Sequence, residues 1–449
     1  MVTLLHLADL HLDTPFKGLA ETDEALATRL RDATLNALDR AVAFALEQKL
    51  SGRLDAVTFG GDIFDETAPS LRARMRFGEA LKTLCREGIP CFIIAGNHDP
   101  IDDPSLWRRH VSLPEGCTLF DAEWGAGVIE KEGAPACTVV GRSFSQALNL
   151  AHPLAGLEAH AAALEVAPLR VGLLHCDAGG TMSEMNGYAP VSVGDLARAP
   201  VDAWLLGHIH KRSEKPLHDR PLVIYPGNPQ GRDINEAGPK GGLLVHLEPG
   251  RAPKTEFVPF GSILWERVEV AVSECAGDTA VTEAIRDALQ TRLDEASRTG
   301  AEGLIARVTL AGRPELSTWR LLQSPETLDE IRKNAAGATE TPFLVIEQLE
   351  SRAQAPLPPR EELREREDLL GDFLRVLDQA REAPESGARR AVEEALSAFS
   401  KNADAREFGG IPGPEMPLEE LLDAAEKIAL TLLWDEEDAL ASEEEPVQS

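Results

Sequence analysis

Long apolar runs are missing from this sequence. None approaches the roughly 20 residues of a membrane-spanning helix, so no membrane association is expected. Cysteine is sparse. The six, at 85, 91, 117, 137, 176 and 275, have spacings that fit neither a zinc site nor a disulfide framework. Reduced thiols are the simplest reading, and a cytoplasmic location follows. Met1-Val-Thr-Leu-Leu-His6 enters a strand pattern directly, with no signal-peptide character. Positive charge is also short: 45 Lys and Arg against 75 Asp and Glu leave a formal charge of −30. Coating nucleic acid without specificity requires clustered Lys and Arg, so that class is excluded. A nuclease whose metals and local arginines hold the backbone is not, and acidity alone is ordinary for a soluble protein.

At 449 residues and 43% hydrophobic content the chain can bury two or three cores. It is organised around Phe59-Gly-Gly-Asp62-Ile-Phe-Asp65. The apolar stretch Leu54–Thr58 before it reads as a buried parallel strand, and the glycines clear space where that strand ends. Asp62 is thereby expected at the carboxyl end of a sheet strand, where open α/β sheets bind ligands. Three further strand ends carry metal-type ligands: Asp9-Leu-His11 after Val2–Ala8, Gly96-Asn97-His98-Asp99 after Pro90–Ala95, and Gly207-His208-Ile-His210 after Val201–Leu206. Alternation along an extended chain predicts that Asp9 and His11 share one side, as do His208 and His210. His175 follows another strand, Leu169–Leu174, and His6 has the parity of a core histidine.

Helices are expected over Asp23–Leu50 and Pro69–Glu87. The second carries Arg72, Arg74 and Arg76, which fit either a solvated face or contact with substrate phosphates. Further strands are expected at Cys137–Gly141, Leu222–Tyr225 and Gly242–Leu247. Alternating strands and helices define a first α/β domain, residues 1–262. The texture then changes: strands at Trp265–Val272, Leu304–Leu310 and Phe343–Gln348, with helices Asp278–Arg298 and Pro325–Ala335, describe a small α+β domain, 263–352. A proline-rich linker opens a helical, acidic region, 353–449. It contains a Gly/Pro break between Glu407 and Pro417, an amphipathic helix Leu418–Leu433, and a tail with seven acidic residues from Asp435 onward.

Together Asp9, His11, Asp62, Asn97, His175, His208 and His210 form a mixed oxygen and nitrogen donor set, which suits Mn, Fe or Zn better than an all-oxygen cage. One cation cannot use so many ligands. Two divalent ions about 3.5–4 Å apart can, with Asp62 as the bridging carboxylate, and His98 stands beside them as a proton donor.

The series Asp9-x-His11, Gly61-Asp62-x-x-Asp65, Gly96-Asn97-His98-Asp99, His175 and Gly207-His208-x-His210 resembles the calcineurin-like metallophosphoesterase superfamily. Within it, His6-Leu-Ala-Asp-Leu-His-Leu-Asp-Thr-Pro15 and Tyr225-Pro-Gly-Asn-Pro-Gln-Gly-Arg232 resemble the bacterial YhaO-type DNA repair exonucleases, relatives of SbcD. The resemblance implies a four-layer αββα sandwich followed by a capping domain. It implies one metal, with Mn²⁺ expected first, on Asp9, His11, Asp62 and His210, and a second on Asp62, Asn97, His175 and His208. Asp65 would orient His98, which would protonate the leaving oxygen of a DNA phosphodiester. It further implies an SMC-like ATPase partner reached through the C-terminal helices, and relatives of this kind are often homodimers. Two other functions fit the residues: a phosphoesterase acting on nucleotides or other small phosphate esters, and a noncatalytic scaffold that regulates an ATPase.

Overall fold

The computed structural model describes residues 1–14, 16, 24–65, 69–102, 107, 111–146, 152–164, 167–179, 190–216, 222–336, 342–383, 385–387, 389–390, 394 and 418–434. The expected Gly/Pro break at 407–417 and the acidic tail from 435 lie outside the described residues. Two compact units emerge. One comprises Met1–Arg267, Leu289–Arg307 and Gly337–Glu347; the other comprises Val268–Ala288, Val308–Ala336 and Gln348–Ser449.

The chain opens with β1 (Val2–Leu7), α1 (Glu24–Leu50), β2 (Ala56–Gly60), α2 (Leu71–Arg86), β3 (Cys91–Ile94), β4 (Cys117–Leu119), β5 (Gly125–Lys131) and β6 (Ala134–Gly141). Then come α3 (Leu157–Ala162), β7 (Leu169–His175), β8 (Asp177–Ala178), β9 (Pro190–Val191), α4 (Val193–Arg198), β10 (Ala203–Gly207), β11 (Ser213–Pro216) and β12 (Leu222–Tyr225). A 3-10 turn, Ile234–Glu236, leads into β13 (Gly241–Leu247) and β14 (Lys254–Pro259). Afterwards run β15 (Ile263–Ala271), α5 (Gly277–Arg298), β16 (Gly303–Ala311), α6 (Leu316–Leu321), α7 (Pro325–Ala335) and β17 (Phe343–Ser351). Last are α8 (Arg360–Glu365), α9 (Leu369–Glu382) and α10 (Leu418–Leu433).

Two six-stranded sheets form the sandwich, in the orders β14-β13-β1-β2-β3-β4 and β11-β12-β10-β7-β6-β5. Strand alternation assigns each residue to a layer. Val2, Leu4, Ala56 and Ile94 pack against Val171, Leu173, Ala203 and Leu205 between the sheets. Leu5, Leu7, Val57 and Phe59 face the other way, onto Leu38 of α1 and Leu81 and Leu84 of α2. On the second sheet's outer side, Leu174, Trp204 and Leu206 meet Leu157 of α3 and Leu196 of α4. The result is the four-layer αββα arrangement.

His6 belongs to the inner layer. Its Nε2 donates to the Leu206 carbonyl across the gap, and its Nδ1 is 3.0 Å from the Thr58 hydroxyl, so it is a satisfied core histidine. Strand β2 reaches into the glycines, ending at Gly60 rather than Thr58. A side chain at Gly207 would place its Cβ 2.0 Å from the Gly60 carbonyl oxygen, so bare backbone here lets the two sheets close on each other. The solvated face expected of the α2 arginines is present: Arg72 and Arg76 are exposed, and each also pairs across to α1, Arg72 with Asp32 at 2.7 Å and Arg76 with Asp39. They fasten helix to helix.

A third sheet has the order β15-β16-β17. In the second unit, Leu363 of α8, Leu370 and Leu374 of α9 and Trp434 close over Trp319 and Ala355. Helix α10 folds onto this cluster. Leu422 is buried, and Glu426 accepts from both Arg360 and Arg381 at 2.6 Å.

Candidate metal centre

The carboxyl ends of β1, β2, β3, β7 and β10 deliver all the candidate side chains to one place. The chain does not reach it by extended alternation. Strand β1 stops at Leu7, and Asp9 and His11 have φ of 54° and 44°; Asp62 and His208 have 50° and 100°. Four of the six described non-glycine residues with positive φ are therefore candidate ligands. Such backbone costs roughly 1–3 kcal/mol per residue and persists only where surrounding contacts impose it. Here they do: Asp9 N–H donates to Gly61 O, His11 N–H to Asp62 O and Leu12 N–H to Ile63 O, binding the two loops side by side.

Two groups of donors result. In one, His11 Nε2 lies 3.1 Å from His210 Nε2 and 3.9 Å from Asp62 Oδ2. In the other, Asn97 Oδ1 lies 3.0 Å from His175 Nε2 and 3.2 Å from His208 Nδ1, while His175 Nε2 is 3.3 Å from Asp62 Oδ2. Asp62 Oδ2 stands between the groups, and its Oδ1 accepts from His98 N–H at 3.0 Å. Asp9 receives His208 N–H on Oδ1; its Oδ2 is buried with no hydrogen-bond partner among the described residues.

These residues fit a cation pair for three reasons. Ligands about 2.1 Å from one ion stand about 3–3.5 Å from each other, which is the spacing of every pair named above except His11 and Asp62. The orphaned Asp9 oxygen is an anionic donor with nothing to satisfy it. Third, the imidazoles are turned so that their outer nitrogens hold the proton. His175 Nδ1 donates to Gly60 O at 2.8 Å, His210 Nδ1 to Glu236 Oε1 at 2.6 Å, and His11 Nδ1 sits 2.7 Å from Asp65 Oδ1. Each Nε2 is the nitrogen turned inward, and once free of a proton it offers the lone pair with which histidine binds metal.

Comparison with known proteins agrees with this chemistry. Residues 2–212 match the calcineurin-like phosphoesterase family, and 265–354 match the metallophosphoesterase YhaO middle domain. The chain is 31% identical over 341 residues to the uncharacterized metallophosphoesterase YhaO of Bacillus subtilis, an alignment covering 73% of this chain and 76% of that one. The chain belongs to the calcineurin-like metallophosphoesterases. It is also 26% identical over 401 residues to the DNA double-strand break repair protein Mre11 of Haloferax volcanii, covering 83% of each, and 32% identical over 99 residues to Mre11 of Aeropyrum pernix, covering 22% of this chain and 21% of that one.

Within this metallophosphoesterase site Asp65 meets His98 through its main chain, with its carboxylate 3.6 Å from the same nitrogen, His98 Nδ1. His98 Nδ1 donates to the main-chain carbonyl of Asp65 at 3.1 Å, whereas the Asp65 carboxylate is engaged by His11 and, at 3.3 Å, by Arg232. Burial disfavours the charged form of His11, so the Asp65 carboxylate serves it as a hydrogen-bond acceptor. Three contributors escaped sequence reasoning. Glu236 holds His210; Arg232 bridges Glu236 and Asp65, each at 3.3 Å; and Asn228 donates to Glu236 at 2.7 Å. The fully buried Asp99 pins the β2 and β3 loops by accepting from Ile63, Phe64 and Gly96 N–H.

The electrostatics follow from these contacts. Burial opposes ionisation of Asp62, yet His175 and His11 hold it far below the usual carboxylate range. Burial would lower His175, but Asp62 pulls it up to about 9. His208, buried beside His175, is pushed down to about 3. Glu236 resists burial through His210 and Arg232 and stays ionised.

Proposed function

We propose that the chain is a metal-dependent DNA exonuclease that hydrolyses phosphodiester bonds with two divalent ions, Mn²⁺ first among them. The observation that carries this reading is the pair of donor groups on either side of Asp62, with histidine protons turned outward. Asp9, His11, Asp62 and His210 would hold one ion, and Asp62, Asn97, His175 and His208 the other. When bound, the ions supply neutralisation of the anionic ester and a water of lowered pKa. The chain's own residues do the rest. Asp65 and Glu236 fix the imidazoles, and His98, whose side chain is 43% exposed, meets the leaving oxygen. With Nδ1 held by the Asp65 carbonyl, its Nε2 carries the proton to be transferred.

DNA as substrate is supported by the alignment to one protein named for double-strand break repair, that of Haloferax volcanii, over 83% of both chains. Residues 1–262 would be the catalytic domain, 263–352 a capping domain, and 353–449 the region engaging an SMC-like ATPase. The test is degradation of end-labelled single- and double-stranded DNA with Mn²⁺, run beside nucleotide substrates. Shortening of DNA that requires Asp62 supports the reading; hydrolysis of nucleotides alone moves the chain to the small-ester class.

A further inference from the structure

A cavity of about 270 Å³ adjoins the candidate metal centre and shares His210 with it. It is lined by Lys211, Arg212, Lys240 and Phe257 among others, and among the described residues no Asp or Glu borders it. That is against the trend of a chain with 75 acidic and 45 basic residues. Two other cavities keep more acid than base: one is bordered by Glu158, Asp195 and Arg198, another by Asp278, Glu283, Glu330 and Arg286.

The walls are built to hold these cations in place. The Arg212 guanidinium lies 4.2 Å from the centre of the Phe257 ring, a cation–π contact that fixes it while leaving its N–H edge free to donate. Lys240 Nζ donates to the His210 carbonyl at 2.9 Å, tying the cavity to the histidine strand end. Gly227 has φ +76°, and a Cβ there would stand 2.8 Å from His210 O and 3.0 Å from Arg212 N. The loop after β12 thus packs directly on the segment that carries His210 and Arg212. Lys240 is balanced by Glu236 and Asp233 nearby, so Lys211 and Arg212 supply the excess positive charge.

We propose that this cavity takes a second phosphate of the substrate, next to the ester that reaches the metal centre. The proposal rests on the phosphodiesterase reading and narrows it: the substrate is a chain of phosphates, of which one docks beside His210 while its neighbour is cut. A volume under the roughly 300–1,000 Å³ of pockets that enclose a drug-sized ligand suits one backbone phosphate and the edge of its sugar. Arg presents a planar fork to phosphate and Lys a mobile point charge.

Two measurements on the full chain test it. Binding of a fluorescein-labelled oligothymidylate is read by anisotropy in Ca²⁺, and hydrolysis is read with Mn²⁺ on the same oligonucleotide and on bis(4-nitrophenyl) phosphate, which has one phosphate only. The Lys211→Ala/Arg212→Ala variant should bind the oligonucleotide about tenfold more weakly or worse. Its binding should also lose one to two units of the slope of log affinity against log salt. Its KM for the oligonucleotide should rise with kcat unchanged, and bis(4-nitrophenyl) phosphate should be cleaved as before. Arg212→Lys should recover part of the binding. Unaltered oligonucleotide binding, or an equal loss on both substrates, overturns the proposal. A wild-type chain that binds the oligonucleotide through these residues but never cuts it leaves the cavity standing and removes the exonuclease reading instead.

Discussion

Whether a histidine can hold a cation depends on which nitrogen keeps its proton, and here that choice is made by residues outside the donor set. Glu236 accepts from His210 Nδ1 and is itself held by Arg232 and Asn228. Glu236→Ala is expected to free the ring and weaken Mn²⁺ binding about 10–100-fold by calorimetry. Glu236→Gln should restore most of it, because an amide oxygen can still accept; equal losses in both variants would count against an orienting role. His98 makes the opposite prediction. His98→Ala should keep its metal content and lose about 10²–10⁴ in turnover, and full turnover with full metal would remove it from the mechanism. His6 tests the core. Burial drops its pKa from 6.5 to about 4 against the opposing Leu206 and Thr58 hydrogen bonds. It stays neutral in the fold while the unfolded chain protonates below 6.5, so its contribution is complete above pH 6.5 and fades as pH falls toward 4. The stability gap between wild type and His6→Asn, measured by denaturant unfolding, should narrow by about 2 kcal/mol between pH 7.5 and pH 5.

Elements buried on both faces were legible as apolar runs: β1, β3, β7, β10 and β12 lie within two residues of their expected bounds. The elements that escaped notice are edge or surface pieces, such as β5 with two glycines and a lysine, β11 Ser213–Pro216 and β14 Lys254–Pro259. They pair through the backbone, which no side-chain period reports. The candidate ligands were legible because Asp, Asn and His directly after buried strands are unusual. Arg232 was legible only as the last residue of the Tyr225–Arg232 motif, with no role attached. Glu236, four residues further on, carried no signal, because a pairing between side chains in a Gly/Pro-rich loop has no period to betray it. Helix α10 was legible as amphipathic, but its period could not say which apolar residues its own chain would cover. Leu422 and Trp434 are buried, whereas Ile428 and Leu432, one turn apart, are 59% and 74% exposed. Truncation at Pro359 would strip Leu363, Leu370, Leu374 and Trp434 from around Trp319 and so perturb the unit itself. Ile428→Glu with Leu432→Glu is the cleaner probe of the proposed ATPase partner. The double variant should keep its unfolding midpoint within a degree or two and recover less coexpressed ATPase in a pull-down; equal recovery would discard this face.

At the scale of the molecule, a chain of charge −30 concentrates buried carboxylates and imidazoles where two sheets end. Their mutual neutralisation makes metal uptake and proton release one event. In chain stripped by a chelator, Asp62 and His175 share a buried ion pair, with His175 protonated below about 9. A cation that takes His175 Nε2 must displace that proton, whereas His208, already neutral above about 3, gives none up. Mn²⁺ affinity is therefore expected to rise about tenfold per pH unit between pH 6 and 8, with close to one proton released per ion at the Asn97 group. Calorimetry in buffers of different ionisation enthalpy counts that proton directly. Added Mn²⁺ should also raise the unfolding free energy of the unit holding the site, by about 2.7 kcal/mol at a hundred times the dissociation constant. His175→Asn, which offers an oxygen with no titrating proton, should bind more weakly and flatten the pH dependence. Affinity that stays level from pH 6 to 8 in the wild-type chain would mean that His175 is neutral before the ion arrives, and that Asp62 is held ionised by some group other than its nearest imidazole.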